Sequence, residues 1–149
     1  MKIFVTVGTT AFDELIETID TSKMKHDFIL QISKKSKYKP KNYPYFHFTD
    51  DIEMYYSQAD AVVTHSGAGS VYRLLELKKK IIIIPNLLRV DKHQSDLSNF
   101  MKKNHYAIIC NDIKYINKSI EDIEKYEFRE YRFDPFFKTS EILEFMELG

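Results

Sequence analysis

The chain has 149 residues, and its 22 lysine and arginine residues balance 22 aspartate and glutamate residues at a formal charge of zero. This length suits one domain with a core of its own, and zero charge argues against a general nucleic-acid binder, which usually presents a basic surface. A single cysteine excludes a disulfide scaffold within the chain, and no run approaches the roughly 20 apolar residues of a membrane-spanning helix. Because the sequence enters a strand-like segment without a signal peptide, we expect a cytoplasmic protein.

Apolar runs alternate with helical periodicity in the first half of the chain. Ile3–Val7 is predicted to form a buried strand, and the helix after it would be capped by Thr10, with Asp13 as a capping-box-like partner. Another helix would begin at Asp50 or Asp51. Further strands are predicted at 28–32, 45–48 and 61–64, and the lysine-rich segment 33–43 is predicted to be an exposed loop.

Predicted strands and helices continue to alternate in the second half of the chain, but the pattern weakens toward the C-terminus. Ile81–Ile84 is predicted to be a central strand, because four β-branched residues in a row suit burial on both faces of a parallel sheet. A helix over 91–103 would close at a left-handed Asn104, and a strand over 106–110 would bury Cys110. Further helices are predicted around 116–123 and over 139–148.

Strands that alternate with helices predict an α/β fold, namely a Rossmann-like doubly wound parallel sheet with helices on both faces. We expect a single domain over residues 1–149, in which 112–149 forms a C-terminal tail with helices. The large aromatic residues of this tail would cover the domain's own core or form part of a partner interface. The lysines within 34–41 would be solvated or would face anionic lipid. Right-handed crossovers bring the carboxyl ends of the strands to one edge, where open α/β sheets bind ligands.

Two glycine turns are expected at that edge. The first is Gly8-Thr9-Thr10, after the first strand, and the second is His65-Ser66-Gly67-Ala68-Gly69-Ser70, between the strand at 61–64 and a helix. Backbone N–H groups at a helix start are unpaired and carry partial positive charge, and small residues let a diphosphate come close. Either turn alone can be a plain strand-to-helix connection, so the pair is what predicts a phosphate site.

Several short motifs occur in a specific order along the chain. They are Val7-Gly8-Thr9-Thr10, Phe12-Asp13-Glu14-Leu15-Ile16, Ala59-Asp60, His65 to Ser70, Ile84-Pro85-Asn86 and His93-Gln94. In combination they resemble the C-terminal-domain family of family-28 glycosyltransferases over roughly residues 3–110. The stand-alone members of that family are the most similar. They include the soluble subunit of the split dolichol-diphosphate N-acetylglucosaminyltransferase and subunits of bacterial capsule and exopolysaccharide glycosyltransferases.

The resemblance implies the C-terminal, nucleotide-sugar-binding half of a GT-B glycosyltransferase, with a UDP-sugar as donor substrate and no further cofactor. The diphosphate would lie against Gly8, Thr9, Thr10 and the second turn, whose residues are His65, Ser66, Gly67, Ala68, Gly69 and Ser70. Asn86, His93 and Gln94 would complete the substrate-binding set, although from the residues alone His93 and Gln94 are exposed helix residues. No metal is expected, because the sequence carries no Asp-x-Asp pair of the metal-dependent transferases.

The function implied by the resemblance is that of a glycosyltransferase subunit. It would transfer a hexose or N-acetylhexosamine from the UDP-sugar to a lipid-diphosphate-linked saccharide in polysaccharide biosynthesis. A membrane-associated acceptor-binding partner would hold this chain at the inner membrane face and supply the general base, so no catalytic residue is assigned here. The alternative is a non-catalytic activation subunit, because Arg73 stands where related domains usually carry a ribose-binding Glu, and a guanidinium has no acceptor.

Overall fold

The structure, a computed structural model, describes residues 1–65, 68–85 and 92–131. Strands and helices alternate along this part of the chain as the sequence predicts. The strands are β1 (Lys2–Thr6), β2 (Asp27–Gln31), β3 (Tyr45–Phe46), β4 (Ala61–Thr64), β5 (Lys80–Ile83) and β6 (Ile108–Ile109). The helices are α1 (Asp13–Asp20), α2 (Ile52–Gln58), α3 (Ala68–Glu76), α4 (Lys92–Lys103) and α5 (Ile116–Asp122), the last preceded by a 3₁₀ turn at Ile113–Tyr115.

The six strands form one parallel sheet in the order β3-β2-β1-β4-β5-β6. This arrangement confirms the predicted fold class, a Rossmann-like doubly wound sheet. The chain builds outward from β1 to β3 and then returns to the centre to build from β4 to β6, so the order reverses between β1 and β4. In this class of sheet the ligand crevice lies at that reversal, outside the carboxyl ends of the strands.

Alternate residues of the central strands bury opposite faces of the sheet. Ile3 and Val5 of β1 pack with apolar residues of α1 and α5, whereas Phe4 packs on the other face with those of α2, α3 and α4. Ile81 and Ile82 of β5 divide between the two faces in the same way. The prediction that Ile81–Ile84 is buried on both faces is therefore confirmed.

The end of one helix matches its prediction, and the ends of two others do not. Asp51 caps α2, since its carboxylate accepts the amide of Met54 at 3.2 Å. The prediction of a Thr10 cap is wrong: α1 has Phe12 as its N-cap residue, without a side-chain bond to the helix. The carboxylate of Asp13 turns away from the helix backbone and binds the loop that follows β2.

The prediction that Asn104 is the left-handed residue after α4 is also wrong. The amide of Asn104 still donates to Phe100 O at 3.2 Å, so helical hydrogen bonding extends one residue beyond Lys103, the last residue of α4. His105 then takes the left-handed conformation, with φ of 57°. The amide of Tyr106 closes the helix end by donating to Met101 O at 2.9 Å. The side-chain amide of Asn104 also donates to Phe100 O, at 2.8 Å, so it pairs a carbonyl of the last helical turn.

The lysine-rich loop after β2 is exposed, as predicted, but its backbone is tied to α1 by a buried carboxylate. Asp20 accepts the Tyr38 hydroxyl at 2.6 Å and the amides of Lys41 and Asn42 at 2.8 and 2.9 Å. Burial would raise the pKa of Asp20, but these hydrogen bonds and one from the amide of Tyr43 outweigh it, so the pKa lies below its ordinary value. The bond to Asp20 raises the pKa of Tyr38 to about 12.

Asp20→Asn is expected to lower the free energy of unfolding at neutral pH by about 2 kcal/mol, because an amide cannot accept the same set of donors as a carboxylate. A carboxyl whose folded pKa is lowered stabilises the fold above its unfolded pKa, and this contribution fades as the pH falls through the folded pKa. Urea unfolding as a function of pH should therefore show the two proteins converging below a pH of about 4. A constant difference over that range would contradict the role given to the Asp20 charge.

The C-terminal part of the described chain covers the domain's own core. Tyr131 is buried against Tyr72 and Tyr106, and Phe128 packs on the opposite core cluster.

Cys110 is buried as predicted, and burial raises the pKa of its thiol. The strand predicted over 106–110 is described only at Ile108–Ile109. The helix predicted over 139–148 and the aromatic residues after Tyr131 lie outside the described residues. Each helix that the structure describes is too short or too polar to cross a bilayer.

Candidate nucleotide-sugar site

The two predicted glycine turns touch each other at the reversal of strand order. β1 and β4 are neighbours, with Thr6 paired to Thr64, so Gly8 and His65 both follow the carboxyl ends of adjacent strands. The His65 ring nitrogen Nε2 lies 2.6 Å from Val7 O, and because a carbonyl oxygen only accepts, Nε2 donates this hydrogen bond. A Cβ built on Gly8 would lie 3.6 Å from the same Nε2 atom. The beginnings of the two turns are therefore in contact at this edge.

The first turn is a tight loop in which most backbone amides are already hydrogen-bonded within the protein. Gly8 has φ of 61°, a conformation that favours glycine, and the amide of Thr10 donates to Val7 O at 3.2 Å. The amide of Gly8 is also taken, by the side-chain oxygen of Gln31 at 2.8 Å. Among the described residues, the amide of Thr9 has no partner, so Thr9 is the backbone donor that this turn offers to a ligand. Of the three amides in Gly8-Thr9-Thr10, those of Gly8 and Thr10 are bound within the protein.

Gln31, the last residue of β2, holds the first turn in place, a role that was not predicted from the sequence. Its Oε1 atom accepts the Thr6 hydroxyl at 2.7 Å and the amides of Val7 and Gly8 at 3.0 and 2.8 Å. Its Nε2 atom donates to Gly8 O at 3.0 Å and to His47 O at 2.9 Å. A polar residue at the end of an otherwise apolar strand is the only signal that the sequence offers for this buried carboxamide.

The second turn leads into α3, which begins at Ala68. Ser66 and Gly67 lie outside the described residues, and so does the side chain of Ala68. The first amides of α3 have no carbonyl partner within the helix, so this end favours an anion. Gly69 is exposed, and a Cβ built on it would meet no atom of the described residues within 4 Å. The described part of the chain therefore leaves space beside the first turn of the helix.

The hydroxyl of Ser70 has a structural partner. It hydrogen-bonds Tyr56 of α2, a residue whose pKa is raised by burial and lowered in part by this bond. The side chain of Ser70 therefore helps to join α2 to α3, and its backbone amide stays available to the helix end. This distinction matters for mutagenesis, because removing the Ser70 hydroxyl changes a helix contact as well as the candidate site.

The remaining predicted site residues follow β5 in the sequence. His93 and Gln94 lie in the first turn of α4, and their side chains are outside the described part of the structure. Asn86 also lies outside it. β5 is paired in parallel with β4, the strand that precedes the second turn. Their role in substrate binding stays a prediction.

Arg73 on α3 is engaged by acidic residues. Its Nε atom lies 2.7 Å from Glu53 of α2, and a terminal nitrogen lies 3.8 Å from Glu76. The bond to Glu53 raises the pKa of the guanidinium above its ordinary value. All three side chains are about half exposed, so this cluster contributes little to stability. Within residues 1–65, 68–85 and 92–131, no cluster of three His, Cys, Asp or Glu side chains could hold a metal ion.

The chain is similar in sequence to a known protein family and in structure to a solved glycosyltransferase. The glycosyltransferase family 28 C-terminal domain matches residues 2–142. The structure resembles MurG of Acinetobacter baumannii with a TM-score of 0.65 at 18% identity, over 83% of this chain and 41% of that one. The fold is thus that of one half of a GT-B glycosyltransferase. The chain belongs to the glycosyltransferase family 28 C-terminal domain family.

Two curated relatives are similar to this chain over part of their own length. The UDP-N-acetylglucosamine transferase subunit ALG13 of Mus musculus is 30% identical over 125 residues, which cover 73% of this chain and 10% of that protein. The UDP-N-acetylglucosamine--N-acetylmuramyl-(pentapeptide) pyrophosphoryl-undecaprenol N-acetylglucosamine transferase of Finegoldia magna is 32% identical over 92 residues, or 62% of this chain and 24% of that protein. The chain therefore spans about a tenth and about a quarter of these relatives.

Proposed function

We propose that this chain binds the diphosphate of a UDP-sugar and acts as the donor-binding subunit of a two-component glycosyltransferase. The observation that carries the proposal is the contact between the two glycine turns through His65 Nε2 and Val7 O. The Thr9 amide and the first amides of α3 are the donors that would face the diphosphate. Membership of the family and the UDP-sugar in the names of both relatives support this choice of donor.

The chemistry proposed for this site is stabilisation of a leaving group. As the glycosidic bond breaks, the UDP gains negative charge, and fixed N–H donors can stabilise that charge without a metal. A hexose or N-acetylhexosamine would pass to a lipid-diphosphate-linked saccharide, an acceptor class favoured by the pyrophosphoryl-undecaprenol in the name of the Finegoldia relative. We assign acceptor binding and the general base to a membrane-associated partner, which would hold this cytoplasmic chain at the membrane face. Capsule or exopolysaccharide synthesis is the proposed setting.

Calorimetry with UDP and with UDP-sugars, on the chain alone and mixed with its partner, tests the proposal. We expect a one-to-one complex with UDP that needs no divalent cation, and sugar transfer only in the mixture. Asn99, an exposed polar residue in the second half of α4, provides the control, and Asn99→Ala should bind UDP like the parent. Absence of UDP binding in both samples would refute donor binding by this chain.

A second function is a non-catalytic activation subunit of a membrane-associated glycosyltransferase. The observation in its favour is Arg73, which has no acceptor for a ribose hydroxyl and is held by Glu53 at 2.7 Å. In that case the partner would bind UDP-sugar without help, and this chain would only raise its rate. The same titrations distinguish the two functions, because donor affinity of the partner would then be unchanged by adding this chain.

A further inference from the structure

Six exposed lysines lie together along one side of the domain, beside α1. We propose that this lysine flank binds the anionic phospholipid surface of a bilayer. The inference goes beyond the proposed function and does not depend on nucleotide binding. The flank consists of Lys23, Lys34, Lys35, Lys37, Lys39 and Lys41, each of which is exposed.

The loop that carries five of these lysines is fixed to both ends of α1. The carboxylate of Asp13, the first residue of the helix, accepts the amide of Lys37 at 3.0 Å. Asp20, the last residue, accepts the amide of Lys41 at 2.8 Å. The loop therefore follows the whole helix, about 12 Å at 1.5 Å per residue. Lys23 joins the flank at the far end, where it lines a surface cavity with Asp20 and Asn42.

The loop turns its smaller and apolar side chains inward and its lysines outward. Ser33 and Pro40 are buried, and Ser36 and Tyr38 are partly buried, between exposed lysines. In the described structure, none of the six lysines takes part in an ion pair. The nearby carboxylates of Asp13 and Asp20 bind backbone amides and hydroxyls instead of ammonium groups. Exposed Glu14 and Glu17 on α1 reduce the positive charge in part.

The composition of the flank favours a bilayer over a protein or a nucleic acid. All its cations are lysines, and the first arginine of the sequence is Arg73. A lysine is a compact charge on a flexible stem, which suits a diffuse anionic surface, whereas paired recognition of single phosphates favours arginine. The chain has no net charge to attract nucleic acid. The Ser33 hydroxyl donates to Thr9 O at 2.9 Å, so a bilayer on this flank would lie beside the candidate site.

The test is co-sedimentation of the full chain with phosphatidylcholine vesicles that contain either no phosphatidylglycerol or about one third of it. We expect binding to the anionic vesicles only, and weaker binding as salt is raised. Lys34→Ala with Lys35→Ala should lower the affinity at least about tenfold, since each lysine near such a surface contributes roughly a factor of five. Lys102→Ala with Lys103→Ala is the matched control, because it removes two adjacent exposed lysines at the end of α4 and should change the affinity less than about twofold.

Three outcomes would overturn the proposal: equal binding to both vesicles, no binding to either, or equal losses in the two double variants. Binding to a purified acidic protein or to RNA, without binding to vesicles, would assign the flank to another partner and would also overturn it. None of these results affects UDP titration, so failure of the lipid proposal is distinguishable from failure of the proposed function. Thermal unfolding of each double variant verifies that its fold is intact.

Discussion

Gln31→Leu is expected to lower the free energy of unfolding by about 3 kcal/mol and to weaken UDP binding at least about tenfold. Leucine fills a similar volume but leaves the Thr6 hydroxyl and the amide of Gly8 without the acceptor that they share in the parent. It also removes the donors to Gly8 O and His47 O. The first glycine turn then loses the side chain that fixes it. Urea unfolding and calorimetry with UDP measure the two effects separately.

Two further variants test whether these effects come from the hydrogen bonds of Gln31. Gln58→Leu alters an exposed glutamine at the end of α2, and it should change stability by less than about 0.5 kcal/mol and leave UDP affinity unchanged. Gln31→Glu keeps acceptors for the Thr6 and Gly8 donors but places a carboxylate against Gly8 O and His47 O, so it should also weaken binding. If folded Gln31→Leu protein bound UDP like the parent, the fixed geometry of the first turn would be irrelevant to the site.

Gly69→Val is expected to abolish measurable UDP binding with little change in stability. A Cβ on Gly69 lies more than 4 Å from every neighbouring side chain that the structure describes, so the substitution clashes with no described group. Its methyl groups would enter the space proposed for the diphosphate. Gly69→Ala should weaken binding at least about tenfold while leaving stability unchanged or raising it by up to about 1 kcal/mol, because alanine is the better helix former. Calorimetry with UDP and thermal unfolding check both expectations.

Gly8→Ala provides the contrasting control, because it strains the fold instead of occupying the open space. Gly8 has φ of 61°, and an L-residue in that conformation costs about 1 kcal/mol. Its Cβ would make only an ordinary contact with His65 at 3.6 Å. We therefore expect a loss of stability from Gly8→Ala and none from Gly69→Val. Parent-like sugar transfer by Gly69→Val in the presence of the partner would exclude the proposed mechanism.

The sequence predicts the elements well because local patterns decide them. Strand β5 (Lys80–Ile83) follows from the β-branched run Ile81–Ile84. Helix α2 follows from Asp51, an aspartate able to cap a helix, and from the helical spacing of apolar residues after it. The errors lie at helix ends, where one extra hydrogen bond changes the outcome. Asn104 keeps its bond to Phe100, so the left-handed residue becomes His105. Phe12, and not Thr10, precedes the first turn of α1.

By itself, the sequence determined the class of fold, the family, and the positions of two glycine turns at strand ends, because hydrophobic periodicity and turn residues are local properties. The tertiary structure alone decided which turns meet and what holds them. Gln31 reaches Gly8 from 23 residues away, and His65 reaches Val7 from 58. Such bonds depend on strand order, which sets β1 between β2 and β4. The pairing of Arg73 with Glu53 likewise arises because α2 and α3 pack on the same face of the sheet.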